Sequence, residues 1–415
     1  MSRLTPLIRL GIVAVVGLSL TACSGGDPNN NDGTVTITYS NFISNGGNEA
    51  NLDAIVQAFQ SQNPGIRVDV KTLPYADYFT ALQTDIASHT TADVFDIEYA
   101  NYAAYQANGV LASLSGVDTA VYQKNLADAY ATGGTQYALP SSFSNVVLFY
   151  NKDLFDKAGV AYPTASWTWA DEKSAAEKLT DTAGGVWGDY QPISYNEYYK
   201  AVAQAGGKFL TVDGMSTAFN TSAGINAARW LTEKSGTVMP SAAQGAGTPD
   251  FDTNLFADGK LAMWHTGIWM FGSLKDAPFA WDISVEPGNT THASAMFSNA
   301  VAVSADSKNK DAAQKWAKFM TSSDTMVNVR LAAGWELPPI SDQTKLSAYL
   351  SAGKPQNRQA VFDSLNAVAL APSIGENQAQ MQDVVTEALT EAAAGRMSVE
   401  NAMAAAAQKV DPLLK

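Results

Sequence analysis

Two kinds of side chain in this sequence could do chemistry on a ligand: flat aromatic rings, and carboxylates or amides placed beside them. The chain carries 9 Trp and 16 Tyr, several of them at the ends of predicted strands. Trp264, Thr266, Gly267 and Trp269 lie at the end of a short strand at 261–264, and Glu98, Tyr99 and Asn101 follow another at 93–97. A ring offers an apolar face for stacking, while a carboxylate or amide hydrogen-bonds a polar rim, so the combination suits a ligand that has both. Catalysis on such a ligand would need two acids held ~5 to 10 Å apart. The acids near strand ends, Glu98, Glu197 and Glu336, sit on separate segments, which favours binding over turnover.

Other chemistries find little support. His89, His265 and His292 are far apart and have no cysteine partner, so no metal site is expected. Asp250-Phe251-Asp252-Thr253-Asn254 opens like a calcium loop, but Leu255 stands where such a loop needs Gly and Leu261 where it needs Glu. That stretch reads as a capped helix start instead. No Gly-rich phosphate loop, nucleophile elbow or zinc-protease motif is present, and no cofactor is expected. With 26 Lys+Arg against 40 Asp+Glu and a formal charge of −14, the surface argues against nucleic acid and polyanionic ligands.

The single cysteine, Cys23, closes the tetrapeptide Leu20-Thr21-Ala22-Cys23 after Arg3, Arg9 and an apolar run at 10–20. This is the anatomy of an export signal, too short and wrongly flanked for a spanning helix. The tetrapeptide resembles the bacterial lipobox. That resemblance implies a signal peptide at 1–22, lipid chains on Cys23 and attachment to the extracytoplasmic face of the cell membrane, at ~0.8 kcal/mol per buried methylene. The alternative is a plain secretory signal with an incidental cysteine. Residues 23–33 contain no apolar side chain beyond the cysteine and read as a flexible tether.

The elements that must position the candidate residues alternate in type. Strands are predicted at 35–39, 66–73, 94–97 and 146–150, separated by helices at 51–62, 78–88 and 102–108, which is the signature of βαβ units and a parallel sheet. A helix at 153–158 has Gly159 as its C-cap candidate, and Thr168-Trp169-Ala170-Asp171 spells a capping box. Alanine-rich helices follow at 224–234, 311–320, 378–394 and 399–409. The size of the chain suits two domains.

Several strings, in order, resemble the extracellular solute-binding proteins of carbohydrate-uptake ABC transporters. They are Asp93-Val94-Phe95-Asp96-Ile97 with Tyr105-Gln106-Ala107-Asn108-Gly109-Val110-Leu111, then Tyr137-Ala138-Leu139-Pro140 and the stretch from Phe149 to Gly159. Phe256-Ala257-Asp258-Gly259-Lys260-Leu261-Ala262-Met263 with Thr266-Gly267-Ile268-Trp269 completes the set. The resemblance implies an α/β, two-lobed periplasmic-binding-protein fold: residues 34–143 plus 297–345 as one lobe, 144–296 plus 346–415 as the other. A hinge joins the lobes, and the ligand cleft lies between them.

What the resemblance implies for the site follows from that cleft. Trp269 occupies the family's stacking position, and Glu98 would replace an acidic hydroxyl-binding residue. Further loops converge on the cleft, bringing Asn41, Phe42 and Asn45 after the first strand and Phe143 and Ser144 at the crossing. Tyr195 and Asn196 come from a loop that contributes a tyrosine in relatives, and Trp335 and Glu336 from a turn before Pro338. The implied function is a monomeric, non-enzymatic binding lipoprotein that captures a neutral sugar, a di- or oligosaccharide, and delivers it to permease subunits. The alternatives are a surface-anchored glycoside-acting enzyme and a binding protein for a non-sugar solute.

Overall fold

The β-branched run near the N-terminus extends beyond its predicted end because both its neighbours supply hydrogen-bonding partners. In the computed structural model, which describes residues 34–42, 48–245, 248, 250–274, 276–333 and 336–414, β1 (Val35–Asn41) pairs in parallel with β2 (Ile66–Thr72) and β3 (Val94–Glu98). These are the predicted βαβ units. Beyond β3 the sheet turns antiparallel, through β7 (Ser294–Val303) to β4 (Ala138–Asn151) and then β5 (Met263–Gly267). Two short strands complete it, with β6 (Trp281–Ser284) on β4 and β8 (Val368–Ala369) on β7. The expected α/β architecture is built on this sheet.

β4 departs most from expectation. Only 146–150 reads as strand in the sequence, since Pro140 lacks an N–H and Ser141-Ser142 looks like a turn. The chain stays extended for 14 residues, all buried, because β7 runs beside it over Ala138–Asn145. The register slips between Pro140 and Ser142, a bulge that accommodates the proline. From Val146 onward β4 pairs with β5 and β6 instead. One continuous strand therefore serves both halves of the sheet.

Helices cover the faces. In one half α1 (Glu49–Gln62) and α6 (Lys310–Ser322) pack on β1, with Trp316 edge-on to Tyr39 at 5.4 Å and to Phe59 at 5.2 Å. Trp316 is fully buried, and truncating such a ring costs ~3–5 kcal/mol. In the other half α3 (Trp169–Leu179), α4 (Tyr195–Gln204), α5 (Ser222–Thr232), α7 (Gln378–Ala393) and α8 (Val399–Val410) surround cores that include Tyr198, Leu231, Met381 and Met403. α2 (Tyr99–Ala107) follows β3 directly. The Thr168/Asp171 capping box forms at the head of α3, and Gly159 ends its helix at φ 66°, the left-handed conformation glycine adopts without strain. Among the described residues no helix is long and apolar enough to cross a membrane.

Candidate functional site

The candidate site grows from one pleat. Side chains alternate across a strand, so Ser142 and Ser144 share a face of β4 while Phe143 points to the other. Phe143 is accordingly core, 1% exposed, edge-on to Phe362 at 6.4 Å. This corrects its expected place in the cleft. Ser142 faces Asn299 of β7, and Asn299 in turn faces Glu98 at the end of β3. The three strands deliver three polar residues to one spot.

Glu336 joins them from the following loop. Its carboxylate accepts from the Ser142 hydroxyl at 2.5 Å and from the Asn299 amide at 3.0 Å, and Asn299 also donates to Ser142 Oγ at 3.2 Å. Glu336 is half-buried, so part of the residue stays open to solvent. Behind the group, Tyr130 donates to the Ser298 carbonyl at 2.7 Å and packs edge-on to Tyr99 at 6.1 Å. Deeper still, Asp96 accepts from Tyr39 at 2.7 Å, and burial raises its carboxyl from 3.8 to about 7 despite that hydrogen bond and the nearby Arg330.

Farther along β4, Val146 pairs with Gly267. Ser142 and Val146 are four residue steps apart along the strand, ~13 Å. Here Trp269 stands 52% exposed, the only aromatic among the exposed large hydrophobic residues described. Its indole lies directly over Gly267, where a Cβ would fall 1.9 Å from Cζ3, and edge-on to Phe297 at 5.6 Å. The glycine is required so that the ring can lie flat against the backbone. A supported, open indole and a tethered carboxylate thus lie along the same strand.

The other expected residues divide. Trp264 belongs to the core: it is 1% exposed, packed against Phe149 and Phe256, and its Nε1 donates to Asp252 Oδ2 at 3.0 Å. That corrects its expected role, because no open ring face is left. Phe42 fills an aromatic nest with Tyr78 at 5.1 Å and Phe79 at 5.7 Å, and Asn41 is fully buried at the end of β1. Tyr195 is buried and donates to the Pro372 carbonyl at 2.9 Å, while Asn196 beside it is exposed. Glu98, Tyr99, Asn101 and Thr266 are each partly exposed, and Ser144 is buried opposite Phe297 in the β4–β7 register. Asn45, Trp335 and Cys23, the expected lipidation site, lie outside the described residues.

Sequence reasoning did not single out Asn299 and Phe297 of β7; an amide just ahead of the apolar run 300–303 is the signal available for Asn299, and Phe297 has none. It also left His265 as an isolated histidine. Folding surrounds it with Glu172, Asp189, Glu197 and Glu286, whose oxygens approach closely enough to hold a metal. Two lysines already serve these acids: Lys234 contacts Asp189 at 2.7 Å, and Lys200 contacts Glu286 at 2.5 Å. Asp250 precedes the helix Phe251–Ala257 with no side-chain cap, which corrects the expected capped start, and Asp252 serves Trp264 instead.

Comparison with known proteins matches residues 45–327 to the family of bacterial extracellular solute-binding proteins. The chain belongs to that family. An ABC substrate-binding protein from Listeria monocytogenes, solved in complex with cycloalternan, is 40% identical over 91% of this solute-binding protein and 98% of that chain, with a TM-score of 0.81. The multiple sugar-binding protein of Streptococcus mutans is 26% identical over 77% of this chain and 79% of its own. A maltooligosaccharide ABC transporter solute-binding lipoprotein of Streptococcus pneumoniae is 22% identical over 95% of this chain and 93% of its own.

Proposed function

We propose that this solute-binding protein captures a neutral oligosaccharide of the cycloalternan or maltooligosaccharide kind between its lobes and passes it to an ABC permease. The observation that carries this reading is the open Trp269 indole over Gly267, ~13 Å along β4 from the Glu336 carboxylate held by Ser142 and Asn299. A sugar ring has an apolar C–H face and a hydroxyl rim. Trp269 suits the first, and Glu336, Glu98 and Asn299 suit the second. The Listeria relative at 40% identity, which holds cycloalternan, supports the same class of ligand.

The proposed lobe boundaries at 143/144 and 296/297 lie side by side on the paired strands β4 and β7, between the Ser142–Asn299 and Asn145–Met296 pairs, which supports a hinge there. Across the proposed mouth, Ser373 Oγ donates to the Ala100 carbonyl at 3.2 Å, a contact that opening would break. Ligand favours closure by binding both walls, and the closed form is what a permease would read. The lipobox at Cys23 supports an anchor on the extracytoplasmic face, and the acidic surface supports neither nucleic acid nor polyanions as partners.

The relatives are binding proteins, which supports capture without turnover. Calorimetry with cycloalternan and linear α-glucans tests the ligand class, and chromatography of the recovered sugar tests for hydrolysis. Saturable heat with intact sugar is expected. Cleaved sugar would establish the glycoside-acting alternative, and binding only of an amino acid, phosphate or metal complex would move the protein to another solute class.

A further inference from the structure

Within and behind β5, the strand that leads into the turn bearing Trp269, lies a buried charge cluster with no place in ligand contact. His265, in β5 and 2% exposed, has Nδ1 at 2.9 and 3.1 Å from the two Glu286 oxygens. Its Nε2 lies 3.1 Å from Glu172 Oε1 and 3.2 Å from Asp189 Oδ1. Ionised carboxylates only accept hydrogen bonds, and a neutral imidazole has a single N–H to give. With acceptors at both nitrogens, a neutral ring would press a lone pair against a carboxylate in a dry interior. An imidazolium satisfies both sides.

Charge balance agrees. Lys234 Nζ contacts Glu172, Asp189 at 2.7 Å and Gln191 at 2.6 Å, beneath the Trp230 ring at 4.1 Å. Lys200 Nζ contacts Glu197 at 2.6 Å and Glu286 at 2.5 Å. Four buried carboxylates thus face two ammonium groups, and a charged His265 is the third cation. These groups come from α3 (Glu172), the stretch at 189–191, α4 (Glu197 and Lys200), the turn after α5 (Lys234) and the segment after β6 (Glu286). The remaining neighbour, His292, directs Nδ1 at the Glu286 backbone carbonyl at 3.3 Å. Five segments packed about β5 are therefore tied to His265 directly or through one lysine.

We propose that His265 is a permanently charged imidazolium that clamps the end of β5 and thereby sets the pose of Trp269, making it a positioning residue for ligand capture. Only Thr266, Gly267 and Ile268 separate the clamp from the indole, and the indole rests on that same Gly267. A shift of the strand end moves the stacking plane with it. Burial disfavours the imidazolium, but Glu286, Glu172 and Asp189 outweigh it and hold the ring well above its ordinary 6.5. Burial likewise pushes Glu286 up, and His265 with Lys200 overrides this and draws it down to about 2. The proposal rests on the reading of Trp269 as the sugar platform, and its tests include one that needs no sugar.

Long-range ¹H–¹⁵N spectra of the sugar-free protein should show both His265 ring nitrogens protonated from pH 6 to 8. A ring that titrates near 6.5, or a neutral tautomer at pH 7.5, overturns the charge assignment. His265→Gln keeps one donor but turns an oxygen toward a carboxylate. It should displace the Trp269 indole N–H resonance and weaken cycloalternan binding at least tenfold, whereas an unmoved resonance with wild-type affinity overturns the positioning role. Should His265→Gln fail to fold, Glu286→Gln is the milder variant; it should lower the pH at which the His265 ring deprotonates, and no change there is equally fatal. A displaced indole resonance together with a Trp269→Ala variant that binds normally keeps the clamp but rejects the platform reading, which separates the two claims.

Discussion

Trp269→Ala removes the one open aromatic face described along the crossing strand, and its cost can be worked from the exposure of the ring. A tryptophan side chain offers ~250 Å², of which 52% is open in the sugar-free protein. Complete coverage by a sugar would bury ~130 Å², worth ~3 kcal/mol at 25 cal/mol per Å². A stacked ring covers one face and leaves part of the edge wet, so ~2 kcal/mol is the expected loss, close to a 30-fold rise in Kd. The unliganded fold should lose little, since about half of the residue is already open to solvent and the ring contributes no hydrogen bond among those described. Calorimetry gives the affinity and thermal unfolding without sugar gives the stability. Unchanged affinity together with a melting temperature lowered by many degrees would show that Trp269 works for the fold, and the argument from its exposure would fail.

Other perturbations should separate the remaining roles. Glu336→Gln retains an acceptor for Ser142 and Asn299 but loses the charge-assisted hydrogen bond to a sugar hydroxyl, so affinity should fall by ~1.5–3 kcal/mol in calorimetry; an unaltered Kd would remove Glu336 from the site. Asp96 has a folded pKa of about 7, raised above its ordinary 3.8, so the native state binds a proton that the unfolded chain has released between those values. Stability should therefore fall as pH rises from about 4 through 7, and Asp96→Asn should flatten that decline and gain ~1–2 kcal/mol at pH 8, the buried Arg330 limiting the benefit; denaturant titrations showing equal slopes for both proteins would contradict this. Cys23→Ala should move the exported protein from the membrane fraction to the soluble fraction, and retention in membranes would refute anchoring through Cys23.

The alternation of strands and helices, the capping box at Thr168 and the left-handed Gly159 were legible because each depends on neighbours within a few residues. β4 was not, because 138–145 becomes strand only through pairing with β7, more than 150 residues away, while Pro140 and two serines argue locally for a turn. The same distance hid the site. The exposure of Trp269 agrees with an expectation drawn from the family's stacking position and its place beyond a strand end, but Trp264, five residues earlier, carried the same strand-end signal and proves to be core, since β5 is covered on both faces. Between Ser142 and Phe143 the bulge after Pro140 decides which side chain meets Glu336, and no periodicity in the sequence marks it. The His265 cluster gathers groups from six segments between residues 172 and 286, each an ordinary surface-type residue until folding removes it from water.

The central claim, an oligosaccharide held between two lobes, is tested most directly by small-angle scattering of the protein with and without cycloalternan at saturating concentration, alongside calorimetry of the same samples. Saturable binding accompanied by a smaller radius of gyration is the predicted result. Absence of binding to cycloalternan and to every linear α-glucan, or binding with no compaction at all, would contradict it.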